Sequence, residues 1–371
     1  MPLGPADGPV CVTGATGFCA AFIVRDLLAA GYTVHGTVRS LAAGAKTAPL
    51  LLPGASQRLT LFEADLLDGK EVWAAALRGC TACIHTAAPV EVAGDGAVHW
   101  RDLADAHERQ VKPAVEGTVA VLSACVEEHI QRVVLTSSLS AVGTAREPFP
   151  VLDESCWSEE DYLEETLLTD GGAAYELAKT RQERVAWAMA EQHGFELRVI
   201  CPSVIFGPLL TSHLNFSHEL LLSVLQGKGS PFRAKPPPGM IQNAVIPMVD
   251  VREVSQAHIL ALTDDSAAGR YLLISACPHY EDICRVVSDA FGGATVIPSV
   301  VEGSDVVPAA PKQGPVAYDS SKMREQLGVA EVSMEECVVA SVEALIGLGQ
   351  ISLQRRGEGA EQQQQPSQAR L

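Results

Sequence analysis

A chain of 371 residues, 47% hydrophobic and 19% charged, holds material for a large buried core, and its length suggests two domains or one with an added lobe. Asp and Glu outnumber Lys and Arg by 45 to 27, for a formal net charge of −18. Such a surface repels phosphate backbones and anionic lipid, which disfavours nucleic-acid and membrane partners. The N-terminus MPLGPADGPV lacks a basic and an apolar signal region, and no apolar run approaches the roughly 18–20 residues of a membrane span, so a soluble, cytoplasmic protein is expected.

After a short extension (1–8), PVCVTGA predicts a strand and FCAAFIVRDLLAAG a helix ending at Gly31. TVHGTVR and RLTLFEAD predict the second and third strands, GKEVWAAALRG a helix, TACIHTAA a fourth strand and VKPAVEGTVAVLSACVEEH a long helix. RVVLTSS, AAYELAKTRQERVAWAMAEQH and ELRVICPS continue as strand, helix and strand. This alternation predicts an α/β fold, a doubly wound parallel sheet of the Rossmann type spanning 9–205. The rhythm then breaks into Pro- and Gly-rich sequence (GPLLTSH, GKGSPF, KPPPGM) around one amphipathic helix, FSHELLLSVLQ. YLLISA and TVIPSV read as short strands and MEECVVASVEALIGLG as a late helix, so 206–350 is assigned to a smaller substrate lobe interleaved with the sheet. The Gln-rich tail 351–371 is expected to be disordered.

The first strand runs into Gly14-Ala15-Thr16-Gly17-Phe18-Cys19-Ala20 and then a helix. Glycines at this junction let the backbone approach a pyrophosphate, whose charge the helix N-terminus stabilises. Gly14, Thr16, Gly17 and Phe18 are therefore candidate dinucleotide contacts. A site for NAD needs a carboxylate after the second strand, yet the chain has no Asp or Glu between Leu27 and Phe62. That strand ends in Arg39, with Lys46 beyond it; a guanidinium suits a 2′-phosphate, so NADP(H) is the expected cofactor. Asp65, with Leu66 beside it, closes the third strand and is placed either at the adenine amine or as a helix cap.

Tyr175 and Lys179, in YELAK, lie four residues apart and so on one helix face. A neighbouring ammonium is expected to lower the phenol pKa toward the working range of an acid–base group. Ser138, at the carboxyl end of the fifth strand, is placed to hydrogen-bond a substrate carbonyl. The ten cysteines are scattered, Cys80 and Cys83 form a lone CxxC without a second pair, and His213 and His218 lack a glutamate partner, so no metal is expected. No G-x-S-x-G elbow or P-loop pattern is present.

Taken together, VTGATGF, GYTVHGTVR, ADLLD, HTAAP, KPAVEGT, RVVLTSS, DESCW, YELAK, PSVIFGP and DSSKMREQLG resemble the extended short-chain dehydrogenase/reductases, in their dihydroflavonol reductase and cinnamoyl-CoA reductase-like branch. The resemblance covers roughly residues 9–350. It implies a Ser138–Tyr175–Lys179 triad, with Tyr175 and Lys179 also at the cofactor, and further NADP contacts from Thr86, Ala87, Ala88, Pro202 and Ile205. GGAAYELAK stands where cinnamoyl-CoA reductases carry an NWYCY-like segment, and Leu139–Gly143 lacks the Asn of dihydroflavonol reductases. The resemblance therefore points to a broad NADPH-dependent aldehyde or ketone reductase, and the pocket composition to a medium-sized, moderately hydrophobic carbonyl compound. A nucleotide-sugar epimerase or dehydratase, a 3β-hydroxysteroid dehydrogenase-like oxidation and a non-enzymatic NADP(H) sensor stand as alternatives. Pocket walls are expected from Pro89–Val92, from Leu139–Gly143 and from 207–245, with Phe206, Phe216 and Phe232 also available. Monomer and homodimer both remain open.

Overall fold

A computed structural model describes residues 3–42, 52–89, 100–147, 149–228, 240–242, 244–292, 299–300 and 317–356. Lys46, Val90–Val92, Phe232, most of TVIPSV and the tail from 357 lie outside the described residues.

Among the described residues, nine strands of three or more residues and nine helices of seven or more carry the architecture. The strands are β1 (Val10–Thr13), β2 (Val34–Val38), β3 (Leu59–Glu63), β4 (Ala82–His85), β5 (Arg132–Thr136), β6 (Glu196–Pro202), β7 (Val204–Phe206), β8 (Met248–Asp250) and β9 (Gly269–Leu273). The helices are α1 (Phe18–Ala29), α2 (Lys70–Leu77), α3 (Lys112–Glu127), α4 (Glu160–Thr166), α5 (Ala173–His193), α6 (Phe216–Leu225), α7 (Val251–Thr263), α8 (Tyr280–Ala290) and α9 (Met334–Gly347).

Seven strands form one parallel sheet in the order β9-β6-β5-β4-β1-β2-β3. Its central strands read as continuous apolar runs because helices cover both faces. The two-residue alternation of strand side chains divides them between two layers. Val10, Val12, Ile84, Val134, Ile200 and Tyr271 point toward α1 and α7. Cys11, Cys83, Val133, Leu135, Val199 and Leu272 point toward α2, α3 and α5. Because every strand runs the same way, all carboxyl ends open on one edge, at the reversal in strand order between β1 and β4 where such sheets hold ligands.

The chain after 206 contributes more to the sheet than its composition suggests. The segment read as YLLISA is β9, the seventh strand, paired along β6 from Gly269↔Arg198 to Leu273↔Pro202. The preceding helix α7, absent from the sequence reading, packs beside α1 and starts with a capping box in which Asp250 and Glu253 satisfy each other's backbone N–H groups. The remaining lobe has its own apolar cluster, in which Phe206, Leu221, Ile241, Tyr280, Ile283, Val338, Val342 and Leu345 join α6, α8 and α9. The parallel β7–β8 pair connects it to the sheet.

The boundary of the disordered tail needs correction. Gln354 and Arg355 pair antiparallel with Phe291 and Gly292, Arg356 N–H donates to Ala290 O, and Leu353 is buried in the lobe cluster. A polar segment is ordered here because its backbone finds partners and one leucine finds a core.

Candidate active site

The junction between β1 and α1 is built for close approach. Gly14 adopts φ +65°, a conformation costly for a side chain, and a Cβ there would come within 3.3 Å of the Ala87 Cβ. Gly36 of β2 lies beneath the same turn, where a Cβ would meet both Ala15 and Leu61 at 2.9 Å. Thr37 braces the turn by accepting the Gly14 N–H at its hydroxyl (3.0 Å) and the Ala15 N–H at its carbonyl (2.8 Å). Thr16, Gly17 and Phe18 follow at the start of α1, whose first turn carries neither an acidic residue nor a side-chain cap. Its leading N–H groups are thus available to an anion.

Thr86, Ala87 and Ala88 leave the end of β4 against this turn. Thr13 Oγ1 accepts both the Thr86 and the Ala87 N–H, each at 3.0 Å. Arg39, at the end of β2, is exposed and makes no hydrogen bond or ion pair among the described residues. Asp65 Oδ1 accepts the Leu67 N–H at 3.1 Å, and the helix N-cap that follows is Gly69, so the carboxylate caps a turn rather than the helix. Leu66 turns toward α3, in contact with Gly117. Pro202 ends β6, and Ile205 of β7 packs against the layer of α1 and α7.

The other three candidates converge at the end of β5. Ser138 leads a short turn of 3₁₀ helix, Leu139–Ala141, and accepts the Ser140 N–H at 3.1 Å. Tyr175 and Lys179 project from α5. The Lys179 ammonium is buried and donates to Thr136 O and to Gln182 Oε1, each at 3.1 Å. Burial brings this ammonium down to about 8. Burial also pushes the Tyr175 phenol up to about 12, against the pull of a hydrogen bond with Ser138. This overturns the expectation that the ammonium lowers the phenol. Desolvation is the dominant cause, and two ammonium hydrogens face Thr136 and Gln182.

A buried ion pair sits behind the serine turn. Glu183, on α5, receives Arg270 Nε of β9 at 2.6 Å, the Ser137 hydroxyl at 2.6 Å and Trp187 Nε1 at 3.1 Å. Arg270 also donates to the carbonyls of Glu154 and Cys156 and stacks 4.0 Å above the Trp157 ring. Ser158 completes the support: its hydroxyl donates to Ser140 O and accepts the Thr144 N–H. The acidic stretch around α4 is engaged in surface ion pairs, with Glu160 and Glu164 meeting Arg181.

Several residues that shape this edge escape the sequence reading. Thr13 and His85 are hidden in strands, where they read as interruptions of apolar runs, although His85 falls within the HTAAP motif. His218 of α6 donates from Nε2 to Gly207 O and meets the Phe18 ring edge-on at 5.3 Å, so the lobe touches the first residue of α1. No group of three or more His, Cys, Asp or Glu that could hold a metal ion occurs among the described residues. No helix among them is long and apolar enough to cross a membrane.

Comparison with known proteins adds family context to this geometry. Residues 10–274 match the model of the NAD dependent epimerase/dehydratase family. The chain is 35% identical over 346 residues to cinnamoyl-CoA reductase 1 of Petunia hybrida, covering 93% of this chain and 94% of that one. Among solved structures it is similar to Gre2 of Candida albicans in complex with NADPH, with a TM-score of 0.75 and 28% identity over 92% of this chain and 99% of that one. It is also similar to vestitone reductase of alfalfa (Medicago sativa), with a TM-score of 0.74 and 27% identity over 93% of this chain and 100% of that one.

Proposed function

From a chain that belongs to the NAD dependent epimerase/dehydratase family and is an NAD(P)-dependent oxidoreductase, we propose a cytoplasmic, NADPH-dependent reductase of medium-sized, moderately apolar aldehydes or ketones. The observation that carries this reading is the meeting of Ser138, Tyr175 and Lys179 on the sheet edge that also presents the uncapped start of α1.

The residues fit a dinucleotide phosphate. Gly14 and Gly36 leave room for its backbone-close approach, the α1 N–H groups would hold the pyrophosphate, and the exposed Arg39 would hold the 2′-phosphate. When bound, NADPH supplies the hydride to the carbonyl carbon. Ser138 holds the carbonyl oxygen by a hydrogen bond and steadies the charge that grows there. Tyr175 donates its phenolic proton to that oxygen; a phenol titrating near 12 carries that proton at neutral pH, the form that reduction needs. Lys179 binds the nicotinamide ribose and offsets the phenolate left on Tyr175.

The test is NADPH consumption against a panel of aldehydes, ketones, dihydroflavonols and acyl-CoA thioesters, with NADH in parallel. Turnover of a carbonyl compound with NADPH preferred supports the reading. Purified protein carrying tightly held NAD and converting nucleotide sugars would replace it with the epimerase alternative.

A further inference from the structure

Beneath the turn that follows β1, Lys179 and Thr13 are joined by three buried polar residues to which no role has been given above. The chain of contacts starts at the Lys179 ammonium and passes through Gln182, Thr118 and His85 to Thr13, with contacts of 3.1, 2.8, 3.2 and 2.8 Å. Gln182, Thr118, His85 and Thr13 are each at most 1% exposed.

Hydrogen-bond chemistry fixes every orientation in this chain. An ammonium only donates, so the Gln182 atom facing Lys179 is its oxygen, and its NH₂ group donates to Thr118 Oγ1. Thr13 Oγ1 already accepts two backbone N–H groups, from Thr86 and Ala87, so its own hydrogen goes to His85 Nδ1. His85 is then a neutral imidazole with its proton on Nε2, donating to Thr118. Burial, reinforced by the Lys179 charge, keeps it in that form by holding its pKa at about 3. No member can rotate without leaving a buried polar group unsatisfied, a cost of about 1–3 kcal/mol. Thr13 holds the segment after β4 that touches Gly14, while Gln182 holds the ammonium.

We propose that Gln182 is a positioning residue for Lys179: it fixes one ammonium hydrogen and, through Thr118 and His85, ties the lysine to the Thr13 frame beneath the cofactor turn. This rests on the role given to Lys179 above. Thr136 O takes a second hydrogen, and the third is left for the ribose and Tyr175. The other titratable groups facing Lys179 are Cys19 of α1, Cys201 of β6 and Glu183 on its own helix, with His258 of α7 beyond Thr136.

The test uses the full chain with Gln182→Leu, which keeps apolar volume but removes the amide, and Gln182→Glu, which places a carboxylate at the ammonium. Two readouts are taken against pH: NADPH affinity by fluorescence without carbonyl substrate, and kcat with the best carbonyl compound. Losing the amide dipole lowers the lysine pKa, and gaining a carboxylate raises it. The alkaline limb therefore moves by about one unit to lower pH in Gln182→Leu and to higher pH in Gln182→Glu. In Gln182→Leu kcat falls about tenfold while KM changes less than about twofold. Limbs that stay in place, or that move in the same direction in both variants, overturn the proposal; a lowered melting temperature alone would mark a purely structural side chain. If the parent binds NADPH but reduces no carbonyl compound, the functional reading fails, and the pH dependence of NADPH affinity still decides the role of Gln182.

Discussion

At Arg39 an exposed guanidinium stands where a carboxylate would hold the 2′-hydroxyl of NAD, and no described side chain neutralises it. Replacing Arg39 with Asp is expected to lower the NADPH-to-NADH ratio of kcat/KM by about 10–100-fold, the weight of a charge-assisted contact. Steady-state kinetics with both cofactors measures it, and an unmoved ratio would show that Arg39 does not read the phosphate. At Tyr175 the expected outcome separates chemistry from binding. Tyr175→Phe retains NADPH affinity by fluorescence titration but loses about a hundredfold or more of kcat, because the proton donor is removed while the ring stays. As candidates these residues were legible from their spacing together with the glycine turn that precedes them, since four positions on a helix and the end of a strand are local facts. The pKa of Tyr175 was not, since it depends on how much water the folded chain excludes from the phenol.

Elements are joined at this site by buried charge. Arg270 of β9 and Glu183 of α5 form a buried ion pair at 2.6 Å, with the serine turn above. Removing one partner leaves the other buried and uncompensated, so Arg270→Leu is expected to destabilise by about 3–5 kcal/mol. Pairing it with Glu183→Gln should restore part of that loss. Denaturant midpoints of the single and double variants measure both, and additive losses would mean that the pair is not coupled. Sequence pattern placed most sheet strands and their helices because apolar runs and helical periodicity are local. It missed α7, whose capping signal lies in the lobe segment, and it assigned β9 to the lobe because a strand does not announce its neighbour.

For the whole molecule, buried titratable groups set the response to acid. Burial lowers His85 to about 3 and His258 to about 4, from an ordinary 6.5. The unfolded chain takes up these protons near pH 6.5 and the folded chain refuses them until about 4 and 3, so stability falls as pH drops through that window. Glu176 acts in the opposite sense. Burial raises it from 4.5 to about 7, so its contribution to stability declines as pH rises between those values. Burial lowers His218 as well, so with three imidazoles against one carboxyl the denaturation midpoint is expected to fall between pH 6.5 and 4.5, and His258→Gln should flatten that slope. A slope unchanged by the substitution would assign the acid sensitivity to other groups.

The sequence by itself determined the alternating strands and helices, the glycine turn before α1, the cationic end of β2 and the Ser138, Tyr175 and Lys179 candidates. Each follows from residues that are neighbours along the chain or within one helical turn. Only the tertiary structure decided that β9 closes the sheet, that residues 351–356 dock on the lobe, and that Lys179 is joined through Gln182 and His85 to Thr13. Those relations bring together groups separated by tens of residues, and their energies come from desolvation and hydrogen-bond geometry, which exist only once the chain has folded.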